Sequence, residues 1–283
     1  PTVRDPAFAP VPTRLSPTSE GTACERHLHR ALWILLSSVQ MPSPVTWPSS
    51  KDHTLRVHQN QGTQLEHVPS RQRIIDHGEV FTPPGLVRDM LDLVKHECER
   101  IDSRFLEPAC GDGNFLAEVL RRKLATVERL NARNREKWER DAVLAVCSLY
   151  GIDLLPDNVD ACRDRLSEVV GSAFVERFKE PMPDPARRAI AFILSRNIVH
   201  GDALTLRTAS GQPIVFSEWS PVNGTMLKRR DFAYGHLIER SHTSNLPLFS
   251  DLGEDAFVPV PVGDYPLCHY RRVPDQQEAH ERP

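Results

Sequence analysis

The sequence predicts a doubly wound α/β fold, and three observations carry that prediction. A short strand pattern at Phe105 and Leu106 runs into the turn Ala109-Cys110-Gly111-Asp112-Gly113 and then into a helical pattern of Phe115, Leu116, Val119, Leu120 and Leu124. Strand, glycine turn and helix in that order are the opening unit of a doubly wound sheet. Two later apolar segments, residues 142–149 continuing into Gly151-Ile152-Asp153 and Ile198-Val199 continuing into Gly201-Asp202, each run out on an acid. Between them, apolar positions recur at three- and four-residue spacing, the period of a helix with one buried face. At 283 residues, 40% hydrophobic and 26% charged, the chain has the length and composition to bury a full α/β core.

Along the chain, residues 1–70 are rich in Pro, Ser and Thr and read as a poorly structured appendage with one helix over 25–39, centred on Leu28, Leu32, Trp33, Leu35 and Leu36. Prolines at 42, 44 and 48 end it, because they lack the amide donor and clash with the preceding turn. From Arg71 the periodic signals lengthen. Pro83 and Pro84 suit the first turn of a helix with Val87, Met90, Leu91, Val94 and Cys98 inward and Thr82 as N-cap. After the glycine turn and its helix, the mixed-sign run 121–140 reads as solvated helix, and 142–149 as a buried parallel strand. Pro156 starts the next helix, facing inward at Val159, Cys162, Leu166, Val169 and Val170. A helix over 186–194 leads to the strand at Ile198, and 213–217 is a fourth strand candidate. Beyond it the periodicity fades. The domain reading is therefore the appendage 1–70, a main domain 71–217, a loop-rich extension of it over 218–270 with room for one hairpin, and a disordered tail 271–283.

Charge and cysteine usage exclude some classes. A formal net charge of -3 carries no basic surplus for nucleic acid, although one basic face can coexist with a neutral total. Lys228, Arg229 and Arg230, with Arg240, form the best candidate cluster for phosphate contacts. The six cysteines form no CxxC pair and read as buried thiols of a reducing compartment. His77, His96, His200, His236, His242 and His269 lack compact ligand spacing, so no metal is expected. The most apolar stretch, 31–36, is far short of the roughly 20 residues that cross a bilayer. No signal-peptide order opens the chain, and the expectation is a cytoplasmic protein with no membrane contact.

The chemistry concentrates on one stretch, Glu107-Pro108-Ala109-Cys110-Gly111-Asp112-Gly113-Asn114-Phe115. Its glycines permit positive φ and close backbone approach to a ligand lying across the strand ends. No Gly-Lys-Ser/Thr follows, so it is not a Walker A loop, and Leu116 stands where the nicotinamide fingerprint needs its third glycine. Glu107 and Asp112 suit a ligand with ammonium or sulfonium charge rather than a pyrophosphate. Asp153, ending the next strand, can accept from a ribose diol, and Asp202, ending the third, from an adenine amine. Acids at successive strand ends fit the rule that open sheets bind ligands outside their carboxyl edge.

These residues resemble the amino-methylating DNA methyltransferases of restriction-modification systems, specifically the adenine-N6 class in which a leading motif precedes the cofactor loop. Gly78-Glu79-Val80-Phe81-Thr82-Pro83-Pro84 resembles that leading motif, and the stretch from Glu107 to Phe115 the main cofactor motif. Gly151-Ile152-Asp153 is similar to the ribose motif, and His200-Gly201-Asp202-Ala203-Leu204 to the adenine motif. The resemblance covers about residues 71–205. It implies a Rossmann-like fold that binds S-adenosylmethionine (SAM). Phe81 and Thr82 would line the methionine end, Glu107 with the backbone of Ala109, Cys110 and Gly111 would hold its amino-acid group, Asp153 would bind the ribose, and Asp202 with Ala203 would bracket the adenine. It also implies double-stranded DNA as substrate and a target-recognition or restriction subunit as partner.

Two departures follow. The family grips a flipped base with Asn or Asp followed by Pro-Pro and an aromatic residue, and no such run occurs between 203 and 283. By position the nearest candidate is 217–222, in which Glu218, Trp219 and Ser220 would accept from and stack on the base. The family fold also continues with three more strands. The residues after Phe216 leave room for little of them, which leaves an incomplete C-terminal side open. Adenine-N6 methyl transfer is thus one expectation, a catalytically silent subunit with a DNA-binding or assembly role is the second, and methylation of RNA, protein or a small molecule is the third.

Overall fold

The computed structural model describes residues 82–243 and 260–276. The helix expected over 25–39, Phe81 and residues 277–283 lie outside these. Helix α1 spans Pro84–Asp92 and is followed by a single turn α2 at Lys95–Cys98. Pro83, not Thr82, occupies the N-cap position of α1, with no side-chain cap bond, and its carbonyl accepts from Val87 N at 3.1 Å. Val87 and Leu91 are the buried positions. Met90 points outward, because one residue of helix rotates it about 100° away from Leu91.

Strand β1 (Phe105–Glu107) leads through the glycine turn to α3 (Asn114–Asn131), then α4 (Arg135–Cys147), β2 (Leu149–Asp153), α5 (Pro156–Phe178), α6 (Asp184–Asn197) and β3 (Ile198–Asp202). The strands lie in the order β1-β2-β3 and are parallel, with Glu107 beside Gly151 and Asp153 beside His200. A two-residue strand β4 (Arg207–Thr208) adds antiparallel to β3. The mixed α/β class with a parallel sheet is the expected one.

Two expectations on this stretch are corrected. The apolar run 142–147 is the end of helix α4, and the strand begins only at Leu149. Asn134 caps α4 by accepting from Lys137 N at 2.9 Å, and a helix buried on most sides shows the same continuous apolar run as a buried strand. Nor is the charged run 121–140 solvated throughout. Lys123 is fully buried and donates to the carbonyls of Arg100, Ile101 and Ser103 at 2.7, 3.2 and 2.6 Å. Three carbonyls match the three protons of an ammonium, while burial pushes its pKa down to about 7. Trp138 and Glu139 of α4 are also buried.

The sheet has two apolar faces. Phe105, Leu149 and Ile198 pack among Leu116 and Leu120 of α3, Val146 of α4, Leu166 of α5 and Ile193 of α6. On the other face, Leu106, Tyr150 and Ile152 meet Ile214, Phe216 and Tyr234. Phe216 stacks edge-on against both Tyr150 and Tyr234, each at 5.4 Å between centroids. Strand alternation places residues 105 and 106 on opposite faces.

The region read as a loop-rich extension holds a second, antiparallel sheet. Strand β5 (Val215–Asn223) pairs with β6 (Met226–Ala233), and short strands β7 (Gly263–Asp264) and β8 (Cys268–His269) pair with β6. Helix α7 (Tyr234–Thr243) follows β6. The tail expected from Arg271 instead begins in a 3-10 turn, Tyr270–Arg272. Tyr270 Oη and Arg271 Nε both donate to Oε1 of Glu139, at 2.9 and 2.6 Å, and Val273 is fully buried. Among the described residues no helix is long and apolar enough to cross a membrane.

Candidate functional site

The carboxyl edge of β1, β2 and β3 gathers the strand-end residues that the sequence singles out. Cys110 N donates to Ile152 O at 2.9 Å, which folds the segment after β1 back over β2, and Gly113 N closes the turn on Cys110 O at 2.9 Å. Gly111 has φ +52 and Gly113 φ +84, a region that side-chain-bearing residues disfavour. The two glycines differ in surroundings. A Cβ on Gly113 would lie 2.6 Å from Cys162 Sγ of α5, so the turn needs glycine there to seat on that helix. A Cβ on Gly111 would meet nothing within 4 Å, so its backbone faces open space where a ligand can approach.

Asp153 is the hub of this edge. Its Oδ2 accepts from Gly111 N at 2.8 Å, and its Oδ1 from Leu155 N at 2.9 Å and Asn158 Nδ2 at 3.2 Å. The carboxylate therefore fixes the glycine turn and the start of α5 together. Oδ2, with one bond accepted, keeps acceptor capacity toward the edge. Glu107 is the second acid. Desolvation by burial pushes its carboxyl up to about 7, and a bond from the Ala109 backbone offsets part of that. Asp112, by contrast, is already neutralised: Arg165 of α5 pairs with it at 2.5 Å, so it does not supply free negative charge to a ligand. Asp202 accepts from Leu204 N at 2.8 Å, and that bond holds its carboxyl below the usual range. Ala203 is partly exposed beside it.

The structure adds Leu154 and gives surroundings to His200, Leu204 and Asn114, which the sequence placed in motifs without a role of their own. Leu154 and Leu204 are 56% and 93% exposed, one directly after the acid of β2 and the other two residues after that of β3. His200 Nε2 lies 3.0 Å from Leu154 O and holds the loop after β2 against β3. An apolar residue close behind a strand-ending acid was the legible signal. At the other side of the turn, Asn114 Nδ2 donates to Thr82 O at 3.1 Å, which brings the leading segment to the glycine turn.

The candidate catalytic segment lies elsewhere. Glu218, Trp219 and Ser220 are inside strand β5, not in a loop after it. Glu218 is 5% exposed and pairs with Arg104 at 2.7 Å and Arg230 at 3.4 Å. Trp219 is 4% exposed, and its Nε1 donates to Asn197 Oδ1 at 3.4 Å. Arg104 and Asn197 immediately precede β1 and β3, so these contacts mark the amino edge of the sheet. The two ends of β2 are about 13 Å apart at the ordinary rise of a strand. With its ring packed in the core, Trp219 offers no face to a base, and Glu218 is spent on two arginines.

The basic cluster is corrected for a related reason. Arg229 is 2% exposed and bonds Asp231 through Nε and Nη2 at 2.9 and 2.7 Å, with its guanidinium 4.0 Å from the Tyr265 ring centre. Lys228 pairs with Asp264 and donates to Tyr265 O at 2.7 Å, and Arg230 pairs with Glu218. Lys228 and Arg229 each pair with an acid of the same sheet, and Arg230 shares Glu218 with Arg104, so most of the cluster's charge is met within the protein. The side chain of Arg240 lies outside the described ones.

Comparison with known proteins gives one relative. The chain is 27% identical over 96 residues to the Type II methyltransferase M.VspI of Vibrio sp. (strain 343). The aligned stretch is 34% of this chain and 18% of that protein, so the match spans less than a fifth of the relative's length. No family model matches, and no solved structure matches. The chain is thus distantly similar to a methyltransferase.

Proposed function

We propose that this chain carries the SAM-binding part of an adenine-N6 DNA methyltransferase of a restriction-modification or related defence system, on a Rossmann-like sheet. The observation that carries the reading is the hub at Asp153, whose carboxylate holds Gly111 in a positive-φ turn with open space in front of it. The surroundings fit this ligand. Glu107 offers negative charge for an ammonium, the Gly111 backbone can approach closely, Asp153 Oδ2 can accept from a ribose hydroxyl, and Leu154 and Leu204 can flank a purine. Bound there, SAM would supply an activated methyl group on a sulfonium centre for transfer to an amine. The chain's own residues would orient it: an in-line approach depends on fixing both ends of the ligand, and the Asp153 hub and the Glu107 end do so from neighbouring strands.

A second reading has its own support. The residues nearest to a base-gripping motif in sequence sit at the amino edge, which favours a subunit whose substrate-gripping residues come from elsewhere, with DNA binding or assembly as its role. The deciding experiment offers labelled SAM to the protein with unmethylated, fragmented genomic DNA, alongside isothermal titration of SAM. The first reading expects N6-methyladenine, lost together with at least tenfold of SAM affinity in Asp153→Ala. SAM binding without transfer selects the second reading. Absence of SAM binding by folded protein removes the first reading and leaves the second, which partner-dependent assembly without methyl transfer would support.

A further inference from the structure

We infer that Asn114 is a positioning residue that latches the leading segment, Thr82 with helix α1, onto the glycine turn, so that closing this segment and filling the cofactor site are coupled. The inference rests on the proposed cofactor site and extends it to a residue with no role in that reading.

Asn114 is the first residue of α3 and directly follows Gly113. Its side chain is not used to cap its own helix; it crosses to the Thr82 carbonyl at 3.1 Å. The same helix holds α1 again eight residues later. Arg122 Nη1 pairs with Asp92 at 2.8 Å, and Nη2 donates to Arg88 O at 3.2 Å. Val87 and Leu91 add the buried packing of α1. The far end of α1 is therefore held by an ion pair and by Leu91, whereas the end next to the glycine turn is held by Val87 in the core and, at Thr82, by the Asn114 amide. Asn114 is covalently joined to Gly113, and the turn it ends is fixed by Asp153 through Gly111. A ligand that orders the turn thus orders the donor of the latch. By linkage, a closed leading segment then favours the ligand by the same factor.

Asn114→Ala removes the amide while the Arg122 contacts keep α1 on the domain. The test combines hydrogen exchange of the amides of residues 87–91 with titration of SAM, on the full chain. Expected are faster exchange of these amides in Asn114→Ala without ligand, slowing on SAM addition in the wild type but not in the variant, and a three- to tenfold weaker SAM affinity, the loss of about one net hydrogen bond. A purely structural role would speed exchange without removing the SAM-dependent protection, and that result overturns the coupling. Unchanged exchange in the variant overturns the latch whatever SAM does. If exchange responds to the substitution but the wild type binds no SAM, the cofactor reading has failed, and the coupling falls with it while the contact itself stands.

Discussion

At the scale of single residues, burial decides which charges have work to do. Glu107 sits where desolvation raises its carboxyl to about 7, so near neutrality it is poised between a donor and a negative charge. The consequence for stability has a definite sign. The folded state binds more protons than the unfolded state between about 4.5 and 7, so stability falls as pH rises through that window. Glu107→Gln should flatten this part of the curve, raising stability at pH 7.5 by no more than about 3 kcal/mol relative to pH 4.5, as measured by urea midpoints at both pH values. The same substitution should weaken SAM binding at pH 7.5, because the charge that costs stability is the one that would meet the ammonium. A variant with the wild-type slope would show that Glu107 is solvated in the folded protein. Lys123 is the counter-case: it is fully buried, and its three carbonyl acceptors make it a brace for the loop ahead of β1 rather than a ligand group.

At the scale of elements, the glycine turn joins the physics of a backbone conformation to that of a helix contact. Gly113 at φ +84 approaches Cys162 on α5 so closely that any Cβ meets its sulfur. Gly113→Ala should cost about 2–4 kcal/mol, part from the left-handed conformation and part from overpacking. Adding Cys162→Ala should recover the overpacking part alone, and thermal unfolding of the two single variants and the double variant separates them. Additive losses would mean that the sulfur yields without cost. The elements around this turn were legible because α3, α5 and α6 each show one buried stripe in a long polar helix, and β1 and β3 end in recognisable turns. Strand β2 was read too long because the run 142–147 is apolar all round and carries no period. The second sheet was legible only as the strand candidate 213–217 and room for one hairpin, for a different reason. Ser217, Glu218, Arg229 and Asp231 are buried polar residues satisfied by one another, by Arg104 and by Arg230, so an alternation of apolar and polar residues never appears.

At the scale of the whole molecule, the second sheet lies on one face of the parallel sheet, and the middle of β5 is fastened at the edge that faces away from the glycine turn. Glu218 reaches Arg104 ahead of β1, Trp219 reaches Asn197 ahead of β3, and the segment after β8 is anchored on Glu139 of α4. The sequence placed Glu107, Asp153 and Asp202 correctly at strand ends but placed 217–222 beside them, because order along the chain says nothing about which end a long strand reaches. The two edges should therefore respond separately to mutation. Glu218→Ala removes the carboxylate that Arg104 and Arg230 share, and breaking a buried pair in this way costs about 3–5 kcal/mol. It should lower the unfolding midpoint sharply while the SAM affinity of the folded protein stays within about twofold of wild type, since sites this far apart with no shared partner are nearly additive. Asp153→Ala should show the reverse weighting, with SAM affinity falling at least tenfold. Titration calorimetry well below the midpoint of each variant, paired with urea unfolding, measures both quantities on the same samples. If Glu218→Ala instead kept its stability and SAM affinity but lost methyl transfer, β5 would carry the chemistry after all, and the amino edge would have to meet the substrate.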